Sequence, residues 1–232
     1  MTIRHCTTRL ISISLMLASF LACARSNNGS AAIDRHALVT RHNVKLTNAD
    51  SLGSLSVGNG EFAFTVDVSG LQTFPELYED GISLGTQSQW GWHSFAGQAY
   101  SIDDVAESYP TCGGRRVPYA VQHEGGAKKT AADWLRTNPH RLHLGLVGLV
   151  LLKQDGTEAL VDDFEQVRQE LDLWSGKITS TYQVEGVPVR VELFGHQDRD
   201  QIAARIDSPL IAQRRLKVRF RFPYGNDCHV CP

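Results

Sequence analysis

Long apolar runs are nearly missing from this chain. The stretch "LISISLMLASFLA", Leu10 to Ala22, falls short of the roughly 18 residues that a membrane-spanning helix needs. No transmembrane helix is therefore expected. An excess of either charge is missing too: 23 Lys and Arg against 25 Asp and Glu leave a net charge of −2, which excludes the basic footprint of a nucleic-acid binder. Cysteine is scarce. Cys6 and Cys23 fall in the first segment, leaving Cys112, Cys228 and Cys231, an odd number that closes no disulfide framework. The "CHVC" of 228–231 has redox or half-zinc-site spacing. A zinc site wants four ligands and only His229 stands beside the thiols. A redox pair opens a helix after a strand, which this stretch does not follow. No Gly-rich phosphate loop, Ser-His-Asp signature, HExxH, internal repeat or low-complexity run occurs, so no metal or cofactor is expected.

What is present starts with an export signal. Arg4 and Arg9 precede the apolar run, and small residues follow it, the layout of a secretory signal peptide over residues 1–23. Its exit has two readings. "FLAC" (20–23) resembles a bacterial lipobox ending at Cys23, while "ACA" (22–24) fits ordinary cleavage before Arg25. The expectation is an exported bacterial protein, periplasmic or held at the membrane only through a lipid on Cys23. Residues 24–33 are small and polar, as in a flexible tether.

Beyond the tether, β signals dominate. "FAFTVDV" (62–68) puts Phe62, Phe64, Val66 and Val68 on one face and Ala63, Thr65 and Asp67 on the other. "GLVGLVLLKQDGTE" is an apolar run closed by the turn pair Asp155-Gly156. "KITSTYQVEGVPVRVELF" reads as two strands around Glu185-Gly186, and "QIAARID" (201–207) as another. "RRLKVRFRF" (214–222) alternates, with Leu216, Val218, Phe220 and Phe222 expected inward and Arg215, Lys217, Arg219 and Arg221 outward. That cationic ridge reads as a solvated or covered face, or as a strip for acidic glycans. "TAADWLRTNP" (130–139) predicts a short helix with a Thr130–Asp133 capping pair and Pro139 past its end. "EALVDDFEQVRQELDLW" spaces Leu160, Phe164, Val167, Leu171 and Trp174 by four, three, four and three, an amphipathic helix by period alone. Many short strands joined by Gly and Asp turns point to an all-β, antiparallel sandwich with one or two short helices.

One stretch breaks the alternation: "GTQSQWGWHSF" (85–95). Sugars bind through CH-rich faces stacked on aromatic rings, with amides and imidazoles bonding the hydroxyls. Trp90 and Trp92, with Gln87, Gln89 and His93, supply both kinds of group. If the segment is extended, both indoles share one side. The alternatives are a core or interdomain filler and, for His93, an ordinary loop histidine. The Gly58-Asn59-Gly60 turn makes a tight strand connection, or lets Asn59 approach a sugar hydroxyl. Glycoside hydrolysis needs two carboxyls flanking the scissile bond. Asp162 and Asp163, adjacent on a strand, would point to opposite faces, and Glu76, Glu79 and Asp80 read as a solvated acidic loop. No catalytic residue is assigned.

Three stretches taken together resemble a known family. "LSVGNGEFAFTVDVSGLQTF" has the strand–GNG–strand form found near the start of inverting glycoside hydrolases and phosphorylases built on a six-hairpin helical barrel. "RQELDLWSGKITSTYQVEGVPVRVELFGHQDRDQIAARIDS" resembles later strands of the same N-terminal domain, and "GTQSQWGWHSF" with "NPHRLHLG" is similar to the bacterial exported group described as glycoside hydrolase family 65-like. The resemblance covers residues 34–224. It implies a large β-sandwich of the galactose-mutarotase-like super-sandwich type, and it turns Val167–Trp174 from helix to strand. It also implies that the catalytic carboxylate belongs to a helical barrel domain, a partner that would follow "RFRFPYGN", where this sequence instead passes to the irregular tail 225–232, "DCHVCP" at its end. The expectation is a truncated, non-catalytic N-terminal domain of a carbohydrate-active enzyme that works without a metal. It would bind an oligosaccharide or glycan through Trp90, Trp92, His93, Gln89 and Asn59. The alternatives are a stand-alone exported glycan-binding lipoprotein and a defective fragment.

Overall fold

The computed structural model describes residues 32–224. The expected signal peptide with Cys23, nearly all of the expected tether, and the tail with Cys228 and Cys231 lie outside the described residues. The chain divides into two units, 1–38 and 39–232. Of the first, only residues 32–38 are described, including the start of helix α1 (Arg35–Thr40).

The second unit is all-β, antiparallel and layered, with short helices. Its strands are β1 (Val44–Leu46), β2 (Leu55–Gly58), β3 (Phe62–Val66), β4 (Thr86–Ser88), β5 (Trp92–His93), β6 (Ala106–Pro110), β7 (Arg116–Ala120), β8 (His140–Arg141), β9 (Leu146–Leu151), β10 (Phe164–Asp172), β11 (Lys177–Val184), β12 (Val187–Gly195), β13 (Ile202–Asp207) and β14 (Leu216–Arg221). Helix α2 (Gly126–Thr137) and the single turn α3 (Pro209–Ala212) complete it. One layer is the five-stranded sheet β1-β10-β11-β12-β13; facing it are β2-β3-β4 and the pair β9-β14. Side chains alternate across each strand, so β11 buries every second residue, Ile178, Ser180, Tyr182 and Val184. These pack against Phe62, Phe64 and Val66 of β3, Leu149 and Leu151 of β9, and Leu210 of α3 in one continuous core. The β11–β12 hairpin closes on Glu185 and Gly186, both at positive φ (50° and 73°), the two-residue turn whose twist matches its strands.

The segment with helical spacing is strand β10. Between Glu165 and Arg168 the register against β11 slips, because β10 carries one extra residue and Gln166 takes φ 53°. Such a bulge inverts the in–out parity of the strand. Phe164 faces the core on one side of it, and Gln169 and Leu171 on the other. A period-2 pattern broken by one residue thus mimics a period of 3.6. Asp162 and Asp163 lie on a 3₁₀ turn before the strand, not on a strand. Asp163 caps the Leu160 N–H at 2.8 Å and pairs with Lys153.

Three further expectations are corrected. Helix α2 begins at Gly126 with Gly125 as its N-cap, so Thr130 lies inside it and Asp133 bonds Lys129 and Gln122 rather than capping; it does end before Pro139. Asp67, expected outside, is buried, because the chain turns back after Val66 and wraps the carboxylate. The backbone N–H groups of Ser69, Thr73 and Phe74 donate to it at 2.7–2.8 Å. Gly70 makes that turn possible: its φ is +87°, and a Cβ there would lie 2.9 Å from Ser180 Oγ and Val191. Last, on β14 the expected inward residues Val218, Phe220 and Phe222 are exposed. Three cations of the ridge are instead neutralised, Arg215 by Glu185, Arg219 by Glu158 and Arg221 by Glu76. A free cationic strip does not form.

A small satellite core of Val105, Ala131 and Ala132, flanked by Tyr100 and Leu135, packs α2 against the segment leading into β6. Cys112, at the tip of that hairpin, is a free, exposed thiol. Among the described residues, no helix is long and apolar enough to cross a membrane.

Candidate functional site

The segment 85–95 is not extended throughout. After β4 the chain folds back, with Gly91 N–H donating to Ser88 O (3.2 Å) and Trp92 N–H to Trp90 O (3.0 Å). The two indoles therefore do not share one strand face. Residues 140–144 run alongside, Trp92 pairing with Arg141 and His93 with His140. Backbone bonds from Leu142 N–H to Gly91 O and Leu144 N–H to Thr86 O extend the pairing.

Neither tryptophan is a core filler. Trp90 is 66% exposed and Trp92 49%, yet each is fixed. The Trp90 indole Nε1–H donates to Asp200 Oδ2 at 2.8 Å. The guanidinium of Arg141 lies 4.4 Å from the centre of the Trp92 ring, a cation–π contact, while its Nη1 donates to Ser88 O at 2.6 Å. Asp200, from the loop between β12 and β13, is the hub. The Ser88 hydroxyl donates to the same oxygen as Trp90, and the Asn59 amide reaches the carboxylate too. The hydrogen bond from Ser88 above all, opposed by desolvation and helped by lesser bonds from Trp90 and Asn59, holds the Asp200 carboxyl below the usual range. Asp200 is therefore ionised at neutral pH.

The GNG turn does two jobs. Asn59 Oδ1 accepts from the N–H groups of Glu61 (2.9 Å) and Phe62 (2.8 Å), the side-chain cap of a tight turn. Its amide nitrogen is left to face Asp200. Gly58 is required by close approach, since a Cβ there would lie 2.1 Å from Phe62 O. Beside this turn lies an open groove of about 360 Å³, lined by Gly58, Gly60, Glu61, Gln87 and Arg141 among others.

Of the residues singled out in the sequence, Trp90, Trp92 and Asn59 come together here. Gln89 is exposed at the rim, its N–H bonded to Glu61 O. His93 turns away into an aromatic cluster, edge-on to Phe95 (4.6 Å) and His140 (5.1 Å), and reads as a packing residue. Glu76 is spent on Arg221: desolvation pushes its carboxyl up, but the Arg221 hydrogen bond and charge, with lesser help from Arg219, bring it below its usual value. Asp200, Arg141 and Ser88 had no assigned role in the sequence. Nothing local marks them, because Asp200 lies 110 positions from Trp90. Among the described residues, no cluster of three or more His, Cys, Asp or Glu is placed to hold a metal ion. A scan against protein-family models finds no match, and no curated protein matches the chain.

Proposed function

We propose that this chain is a carbohydrate-binding β-sandwich and, on the order of its motifs, the leading non-catalytic domain of an exported glycoside hydrolase family 65-like enzyme. The observation that supports the glycan reading is the pair of exposed indoles held rigid by Asp200 and Arg141. Aromatic rings that are merely filling space are buried; these are anchored at an edge or a face, with much of their surface open to solvent. A pyranose ring stacks its CH face on such an indole. Asp200 bonds the sugar: a carboxylate has about four lone-pair sites, and the hydrogen bonds from Ser88 and Trp90 occupy two. The ionised Asp200 and the engaged Arg141 favour a neutral sugar over an anionic one. Because the surface lies on one chain, it serves equally whether a barrel domain follows or the protein acts alone.

The test is calorimetric titration of the full chain with neutral trisaccharides, maltotriose, cellotriose and mannotriose. Saturable binding of at least one is expected, weakened about tenfold, ~1.4 kcal/mol, by Trp90→Ala and by Asp200→Asn. Trp174→Ala, an exposed tryptophan on the β10–β11 turn, leaves it unchanged. No binding across the panel, or equal binding by Trp90→Ala, rejects the reading.

A further inference from the structure

On the solvent face of the five-stranded sheet, one row of facing residues runs Arg168, Thr181, Arg190, Asp207, and Asp207 is itself paired with Arg205. Two strand spacings, roughly 10 Å, separate Arg168 and Arg190, and both side chains are long enough to converge over the threonine between them. The next row runs Lys45, Glu170, Thr179, Glu192, Arg205. Two shallow grooves of about 410 and 420 Å³ flank this row, and Arg168, Thr181 and Arg190 line both. The second is lined by three cations, one carboxylate and three threonines, whereas the first also holds Asp207.

The cations are unevenly compensated. Arg190 Nη2 bonds Glu192 at 2.8 Å, and Lys45 sits 3.7 Å from Glu170, which also accepts from Asn43. Among the described residues, Arg168 has no carboxylate within ion-pair distance. The β10 bulge puts it there. Counted from Phe164, an unbroken strand would send residue 168 into the core. The extra residue, accommodated by Gln166 at φ 53°, turns Arg168 to the outside opposite Thr181. Bulges commonly re-aim a side chain in this way. A guanidinium with free donors, a second arginine and hydroxyls on a rigid sheet match an oxyanion, which the guanidinium fork grips at two points.

We propose that this face is an oxyanion-binding site centred on Arg168, with Arg190 as its second donor, taking the sulfate, phosphate or carboxylate group of an anionic ligand. It is separate from the indole surface and does not rest on the glycan reading. The experiment is a ¹H–¹⁵N correlation titration of the full chain with sodium sulfate, glucuronate and, as the uncharged control, glucose, following the amides of Thr179 and Thr181. Saturable shifts with sulfate assign a tetrahedral oxyanion; saturable shifts with glucuronate assign a carboxylate; either supports the site. In R168Q the apparent affinity is expected to fall at least tenfold, in R168K by less, and in Trp90→Ala not at all. Added sodium chloride weakens the response, since an exposed site is screened. R190Q, checked for a folded spectrum in the same way, is the second variant. Absence of shifts with both anions, shifts matched by glucose, or equal affinity in R168Q and R190Q overturns the proposal.

Discussion

Asp67 is the residue at which burial and hydrogen bonding compete most openly. Complete burial raises its carboxyl from 3.8 to about 6, against the opposing hydrogen bonds from Ser69, Phe74 and Thr73. The folded state thus holds this proton more tightly than the unfolded chain. Linkage then fixes the sign: the contribution is most favourable below about pH 4 and is lost as pH rises through 6. The gap between the two values corresponds to about 3 kcal/mol. Asp67→Asn removes the titration. With its oxygen on the Thr73 and Phe74 N–H groups, its amide nitrogen faces the Ser69 N–H, so the variant is less stable at every pH. Urea denaturation from pH 4 to 7.5 should show the wild-type advantage over Asp67→Asn shrinking as pH rises, by up to that amount. A constant difference would mean that Asp67 is ionised in both states. Nothing in "FAFTVDVSG" announces this, because the wrapping of Asp67 depends on Gly70 meeting Ser180 and Val191 across the core.

The elements that the sequence makes legible are those whose pattern is local. Strands β3, β11 and β12 alternate cleanly, and Glu185-Gly186 names its own hairpin. Strand β10 was legible only through the family resemblance, since its bulge disguises the period. The site divides the same way: the aromatic density of 90–92 and the GNG turn stand out in the chain, while Asp200 and Arg141 join them only through tertiary pairing. That turn offers a test at the element scale. A methyl at Gly58 would press on the Phe62 carbonyl, 2.1 Å away, which is backbone and cannot move aside. A methyl at Gly60 meets open space, and only its φ of +95° objects. Gly58→Ala should cost about 2–3 kcal/mol and weaken trisaccharide binding by displacing Asn59. Gly60→Ala should cost about 1 kcal/mol. Equal losses in chemical denaturation would show that strain, not close approach, governs the turn.

At the scale of the whole molecule, the second layer of the sandwich ends, among the described residues, on an open edge. β14 pairs only with β9 among the described strands. Its register puts Leu216, Val218 and Phe220 on the same side as the core residues Leu151, Leu149 and Val147 of β9. Leu216 reaches the core, but Val218 and Phe220 are 46% and 62% exposed, and Phe222 beyond them 78%. The apolar face thus runs past the point where the facing sheet covers it. An uncovered apolar stripe on a free strand edge favours association through that edge. The opposite face offers little electrostatic protection, because three of its four cations are already neutralised by Glu185, Glu158 and Glu76. The full chain is therefore expected to self-associate with rising concentration in sedimentation velocity, and more so at high salt, where the apolar term strengthens and residual repulsion is screened. Phe220→Thr keeps a β-branched residue in the strand while removing the centre of the stripe, so it should shift the sedimentation profile toward monomer without loss of thermal stability. A wild-type chain that stays monomeric at every concentration and salt would mean that this face is satisfied within the molecule itself.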